Sequence, residues 1–301
     1  MRNGFPVKIL NFGALNVDHV YQVDHFIRPG ETMSSLNYQS FCGGKGLNQS
    51  VALAYAGAQV YHAGKVGKDG LFLIDHLKSS GVITDLIRTD GDVTGHAIIQ
   101  VDRDGRNCII LHGGANQNIT ENEISLAFKQ FEAGDYLLLQ NEINLIDRII
   151  KRAREVGMKI VLNPSPMDEK IQNYPLDLVD IFIVNEIEGY DLTGKSEPQD
   201  VLDSMLNRFP NAAIVLTLGA KGVIFRDKHH SCHQPADTSV KVVDTTAAGD
   251  TFIGYFISCL AGGFSVEKAL RIAAKACDIC VSRPGASSSI PEKSELAGYF
   301  K

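Results

Sequence analysis

Strand-like apolar runs punctuate the chain at residues 7–13, 59–67, 136–140, 159–163, 180–185 and 213–218. Between them, apolar residues recur at helical spacing over 45–57, 71–80, 121–131, 144–156 and 199–209. Strands that alternate with helices predict crossover units and a mostly parallel sheet. Runs such as YLLLQ, KIVLN and DIFIVN are apolar at nearly every position, the pattern of strands covered on both sides. The expected fold class is α/β, a mostly parallel sheet flanked by helices on both faces.

Two segments break the alternation. Residues 19–41 hold no helical period, and residues 95–111 read as a hairpin, HAIIQV and NCIIL around the turn Asp102-Arg103-Asp104-Gly105. Neither suits a crossover unit, so both are expected in a small antiparallel β-lid beside the main sheet. No linker, repeat or low-complexity tract interrupts the chain, and a single domain over 1–301 is expected.

At 301 residues with 44% hydrophobic and 21% charged positions, the chain can bury a large core. Its net charge of −6 argues against a nucleic-acid partner. The longest uncharged stretch, 251–266, is too short and too glycine-rich to span a membrane. The N-terminus runs directly into a strand without an apolar leader, and the six cysteines lack the spacing of a disulfide framework, so a cytoplasmic location is expected.

The most informative string is VVDTTAAGDTFIGYF, residues 242–256. Ala247, Ala248 and Gly249 let the backbone turn into a helix whose first N–H groups have no partner inside it, which makes an anion hole. Asp250 stands at the helix mouth, placed to take a proton from a hydroxyl. A plain helix-capping role for Asp250 is also compatible with these residues. The string FCGGKGLNQSVALAYAGA, residues 41–58, carries Gly43, Gly44 and Gly46, which permit close backbone approach to a ligand. Lys45 and Asn48 project from one face of the helix start that follows. GGKG is no Walker A loop, since no glycine lies four residues upstream and no Ser or Thr follows the lysine. A purely structural turn into a helix also fits. In Asn16-Val17-Asp18, period two puts Asn16 and Asp18 on one side of a strand end.

Together with NE at 141–142, NEIE at 185–188, TLGAKG at 217–222 and RPGASSS near the end, these strings, in this order, resemble the ribokinase family of PfkB-type carbohydrate kinases over nearly the whole chain. The lysine of GGKG and Ala247 look closest to the ribose-phosphorylating members. The resemblance implies ATP-dependent phosphoryl transfer to a sugar, D-ribose to ribose 5-phosphate, with Asp250 as base and the amides of Ala247, Ala248 and Gly249 holding the transferred charge. It implies Asn16, Asp18, Gly44, Lys45, Asn48 and Glu142 on the sugar, and Asn185, Thr217, Gly219, Lys221, Gly222 and Gly249 at the nucleotide. It further implies Mg²⁺ organised by Glu188 through water, and a monovalent cation, K⁺, near Asp244, Thr246, Cys280, Arg283, Gly285 and Ser289. Tyr255 departs from the small residue the second signature usually has, and Ala274 from an often polar position near the adenine. A homodimer formed through the lid is expected. Rival readings are a kinase for another sugar or a nucleoside, and a sugar-binding regulator without catalysis.

Other suggestive residues are expected to be structural. His229, His230, Cys232 and His233 read as an exposed hairpin tip rather than a zinc site. Cys277 and Cys280 read as buried apolar residues in a helix over 266–281. Thr120 followed by Glu121, Asn122 and Glu123 reads as a helix N-terminus.

Overall fold

The apolar runs fold into strands, and their alternation sorts the core into two layers. The structure, a computed structural model, describes residues 6–300. The chain forms β1 (Lys8–Phe12), β2 (Asn16–Gln22), β3 (Asn37–Gly43), α1 (Lys45–Tyr55), β4 (Gln59–Gly67), α2 (Leu71–Ser79) and β5 (Ile83–Gly91). There follow β6 (Gly95–Val101), β7 (Asn107–His112), α3 (Glu121–Ala127), β8 (Tyr136–Leu139), α4 (Ile146–Val156), β9 (Lys159–Leu162) and β10 (Ile181–Asn185). The last third adds α5 (Glu186–Thr193), α6 (Pro198–Arg208), β11 (Ala213–Thr217), β12 (Val223–Arg226), β13 (Ser231–Gln234), α7 (Ala248–Ala261) and α8 (Val266–Val281).

The main sheet has nine strands in the order β13-β12-β11-β10-β9-β8-β1-β4-β5. From β11 to β5 every neighbouring pair is parallel, and only the pairs β11–β12 and β12–β13 at one edge are antiparallel. Period two divides the strands between two faces. Ile9, Leu138, Ile183 and Val215 pack with α1, α2, α7 and α8 on one side. Leu10, Leu137, Phe182 and Leu216 pack with α3, α4 and α6 on the other. This is the expected α/β class with both faces covered.

The second sheet has four strands, in the order β3-β2-β6-β7. Its outer pairs are antiparallel, whereas the central pair β2–β6 is parallel. The connectivity explains it: β2 and β6 each follow a strand of the main sheet after a short turn and leave in the same direction. This sheet begins at Asn16 and includes Gly43 and His112, slightly beyond the expected bounds.

Two elements lacked a sequence signal. β5 is an edge strand in which Asp85, Arg88 and Asp90 interrupt the apolar residues irregularly, and α5 is only eight residues long with Ile187 and Tyr190 exposed, so neither shows a clean apolar pattern. The expected helix over 121–131 ends as α-helix at Ala127 and closes in a 3₁₀ turn. Among the described residues, no helix is long and apolar enough to cross a membrane.

α7 runs from the C-terminal side of the sheet into the core and packs against α1 and α8. Tyr255 is fully buried there, and its hydroxyl donates to the Pro291 carbonyl at 2.6 Å, which accounts for a large residue at this point. One residue earlier, Gly254 lets α7 touch α1: a Cβ at 254 would lie 2.3 Å from the Ala52 Cβ.

Candidate active site

The mouth of α7 is built by backbone conformation. Ala247 adopts φ 60° and ψ 7°, a left-handed geometry that an L-residue takes at a cost of about 1–2 kcal/mol. It turns the chain into the helix without a side-chain cap. The Ala248 N–H donates within this turn to the Thr245 carbonyl at 3.2 Å. Ala247 and Gly249 therefore carry the amides of the expected hole that have no partner among the described residues, next to the positive end of a fourteen-residue helix.

Asp250, buried in the first turn, is held at both carboxylate oxygens. Asn48 Nδ2 donates to Oδ2 at 3.0 Å, and Gln49 Nε2 donates to Oδ1 at 2.9 Å. Behind Gln49 lies a polar cluster that sequence reading missed. Gln140 Nε2 donates to Gln49 Oε1 at 2.6 Å and to Asn11 Oδ1 at 3.0 Å. Asn11 Nδ2 donates to the Gly46 carbonyl and to Ser50 Oγ, both at 2.8 Å. Ser50 in turn meets Nδ1 of the buried His62, whose basicity burial depresses to about 4.

The residues assigned to the sugar gather where the small sheet meets α1. Asn16 is buried, and its Oδ1 accepts Asn116 Nδ2 at 2.8 Å. Asp18 lies over Gly43, and burial pushes its carboxyl up to about 6. Gly44, at φ 94°, starts α1 against the Ala14 carbonyl. The glycines at 43, 44 and 46 thus admit close approach of the chain to itself, to Asp18 and to the backbone of Ala14. Glu142 accepts the Lys45 backbone N–H at 2.9 Å, and burial raises its carboxyl to about 7 despite the lysine beside it. Burial disfavours the Lys45 ammonium, but Asp250, Glu142 and Glu188 outweigh it and hold the lysine charged.

Lys45 and Asp250 also line a cavity of about 850 Å³ that extends over the C-terminal edges of β10 and β11. Asn185, Thr217, Gly219, Gly222 and Gly249 line it as well, whereas Lys221 is exposed and does not line it, its carbonyl accepting His233 Nε2 at 2.9 Å. Ala274 and Cys277 form part of the opposite wall from α8. Cys277 is therefore more than a core residue, and its Sγ donates to the Ala248 carbonyl at 3.2 Å. Glu188 lines the cavity and caps α5: Oε2 accepts the Asn185 N–H at 3.0 Å and Asn163 Nδ2 at 3.4 Å, and Oε1 accepts Asn185 Nδ2 at 3.1 Å.

The residues assigned to a monovalent cation converge behind the helix mouth. Asp244 accepts the N–H groups of Thr246 at 2.8 Å and Gly285 at 3.0 Å. The Cys280 thiol contacts Ser289 Oγ at 3.1 Å and the Thr246 carbonyl at 3.8 Å. The Arg283 guanidinium instead pairs with Glu295, leaving only its backbone near this group.

The hairpin expected around 229–233 is present as β12–β13. His230, Cys232 and Glu267 bring donor atoms within 4.8 Å of one another, a grouping that needed α8 to supply its third member. Both His230 and Glu267 are exposed and already bonded to each other at 3.0 Å. Thr120 and Glu123 form a capping box, and Glu123 also pairs with Lys65 at 3.0 Å. All six cysteines are free thiols.

Residues 7–293 match the family described as pfkB family carbohydrate kinase. The ribokinase of Haemophilus influenzae is 37% identical over 298 residues, covering 96% of this chain and 97% of the relative. That of Staphylococcus aureus is 34% identical over 300 residues, covering 96% and 98%. Among solved structures, Arabidopsis thaliana ribokinase complexed with ribose and ATP superposes with a TM-score of 0.88 at 29% identity, covering 98% of this chain and 99% of that one. Ribokinase from Cryptococcus neoformans in complex with ADP gives 0.85 at 34% identity, with the same coverage. The likeness extends through the strings that form the site, and this chain belongs to the pfkB family of carbohydrate kinases.

Proposed function

We propose that this ATP-dependent sugar kinase phosphorylates D-ribose at its primary hydroxyl, giving ribose 5-phosphate. The observation that carries the reading is Asp250: a buried carboxylate, held at both oxygens, at a helix N-terminus between a polyol-sized polar set and a long cavity. In the proposed reaction the carboxylate of Asp250 takes the proton of the attacking hydroxyl, and the Ala247 and Gly249 amides face the transferred phosphoryl charge. Asn16, Asp18, Gly44, Lys45, Asn48 and Glu142 position the sugar. The cavity takes ATP, with Asn185, Thr217, Gly219 and Gly222 along its wall.

Mg²⁺ bound with ATP supplies charge neutralisation at the phosphates. Glu188 suits it as a water-mediated partner, because its oxygens already accept N–H groups from Asn163 and Asn185. The oxygens of Asp244, Thr246 and Ser289 offer a hard donor set that fits K⁺. The exposed apolar strand β7, with Ile109, Ile110 and Leu111, supports a homodimer formed through the small sheet. Free thiols throughout suit a reducing cytoplasm.

The test is ADP release over a panel of ribose, 2-deoxyribose, fructose and adenosine, in K⁺ and in Na⁺. Ribose should give the highest kcat/KM, since a site built for hydroxyls loses about 1–3 kcal/mol for each one missing. A tenfold preference for adenosine or a hexose overturns the ribose assignment. Absence of ADP release with every sugar favours a regulator.

A further inference from the structure

Gln49 follows Asn48 in α1, is fully buried and does not line the cavity. Its amide is oriented from two independent directions. A backbone carbonyl can only accept, so the Gly46 carbonyl fixes the Asn11 amide with Nδ2 toward it. That leaves Asn11 Oδ1 to accept Gln140 Nε2, and Gln140 Nε2 in turn faces Gln49 Oε1. From the other side, the Ile183 carbonyl accepts Asn163 Nδ2 at 3.0 Å, which turns Asn163 Oδ1 toward Gln49 Nε2 at 3.3 Å. Both chains demand the same orientation, with the Gln49 N–H pair on Asn163 Oδ1 and Asp250 Oδ1. A flipped amide would set its oxygen against two acceptors, Asn163 Oδ1 and Asp250 Oδ1, and its NH₂ against the donor Gln140 Nε2.

Asn48 is built differently. It donates to Asp250 Oδ2, but its own Oδ1 is buried without a partner among the described residues, free for a substrate hydroxyl. Gln49 has no atom to spare.

We propose that Gln49 is a positioning residue, which presents a fixed N–H donor to Asp250 Oδ1 and so holds the base aimed at the acceptor hydroxyl. The inference rests on the reading of Asp250 as the base. Other charged or titratable groups surround this carboxylate: Lys45 from the start of α1 and Glu142 beyond β8 interact with it directly, while Glu188 on α5 acts on Lys45 and Cys277 on α8 lines the same cavity with its thiol on the Ala248 carbonyl. All of them persist in a Gln49 variant, so a changed pH profile reports the missing donor.

Gln49→Glu keeps the shape and places a second carboxyl where the amide donated. It can donate only while it holds a proton, so the acid pair stays singly protonated to higher pH. The acid limb of kcat/KM should move up by about one pH unit, with activity recovering at the alkaline end and the ribose KM within about threefold of wild type. Gln49→Met, similar in volume and unable to donate, should move the limb in the same direction by less, and it serves if the glutamate variant does not fold. Activity lowered equally at every pH, or a raised KM with an unmoved limb, overturns the proposal. Asp250→Asn is measured alongside. If it turns over like wild type, the base reading fails first; if it is impaired while the Gln49 variants keep the wild-type limb, the Gln49 inference alone fails.

Discussion

Gly43 lies against the Asp18 carboxylate so closely that a Cβ at 43 would stand 2.1 Å from Asp18 Oδ2. Across the β2–β3 ladder Gly43 pairs with Asn16 and Asp18 with Phe41, so the two residues stand diagonally, two register positions apart. Gly43→Ala must push the Asp18 side chain aside, a small cost for the fold because a side chain can swing. The sugar should register the change more strongly. We expect ribose KM to rise roughly tenfold, about 1.4 kcal/mol, with little change in Tm. Kinetics and thermal unfolding of the same preparation check it, and an unchanged KM would detach Asp18 from the sugar.

Asp250→Asn retains the shape, with its oxygen accepting Gln49 Nε2 and its NH₂ donating to Oδ1 of an Asn48 amide turned over, but it cannot accept a proton. A fall in kcat by roughly 10²–10⁴ is expected, the range for loss of a positioned general base, with ribose KM little altered. Steady-state rates decide the matter, and near-wild-type turnover would assign proton removal elsewhere.

Glu142 supplies a stability prediction. Its folded carboxyl titrates near 7, against 4.5 in an unfolded chain, so the native state holds the proton more tightly. Its favourable contribution is complete below pH 4.5 and is lost as pH rises through about 7. Glu142→Gln mimics the neutral acid at every pH. The variant should therefore unfold at a higher temperature than wild type at pH 8, with the difference closing by pH 5. Parallel melting curves across this window test it, and a constant difference would contradict the raised titration.

Ala247→Val probes the left-handed turn at the helix mouth. A β-branched residue resists φ 60° more than alanine does, at about 1–3 kcal/mol, and the backbone should relax by moving its N–H groups. A drop in kcat of at least about tenfold is expected, while Ala247→Gly should keep most activity because glycine enters this region freely. Equal rates for both variants would mean that the turn does not set the amides.

The parts of this molecule that are local in sequence were legible in it. The alternation of apolar runs gave the α/β sheet, and the turn before Asp250 announced a helix mouth because its glycine, alanines and acid are adjacent in sequence. Gln49, Gln140, Asn163 and Asn11 were missed for a physical reason: an amide becomes informative only when the fold supplies the groups on either side of it. A weaker signal was present. Gln140 closes YLLLQ, Asn163 closes KIVLN and Asn185 closes DIFIVN, so a polar amide ends each of three apolar runs. In a parallel sheet those ends share one edge, where ligands bind. The parallel β2–β6 pairing was hidden too, since it depends on the direction in which two distant strands leave the main sheet.

The contact between Gly254 and Ala52 has a use at a distance. α1 carries Lys45, Asn48 and Gln49, α7 carries Asp250, and the spacing of these helices is set where they cross, one turn deeper in the core. The missing side chain at 254 acts as a spacer of zero thickness. Any shim inserted there must spread the two helices, and the base would drift from the amides that hold it although nothing in the pocket had been altered. Substitutions at this buried crossing offer a graded adjustment of catalytic geometry, made from a position no ligand touches.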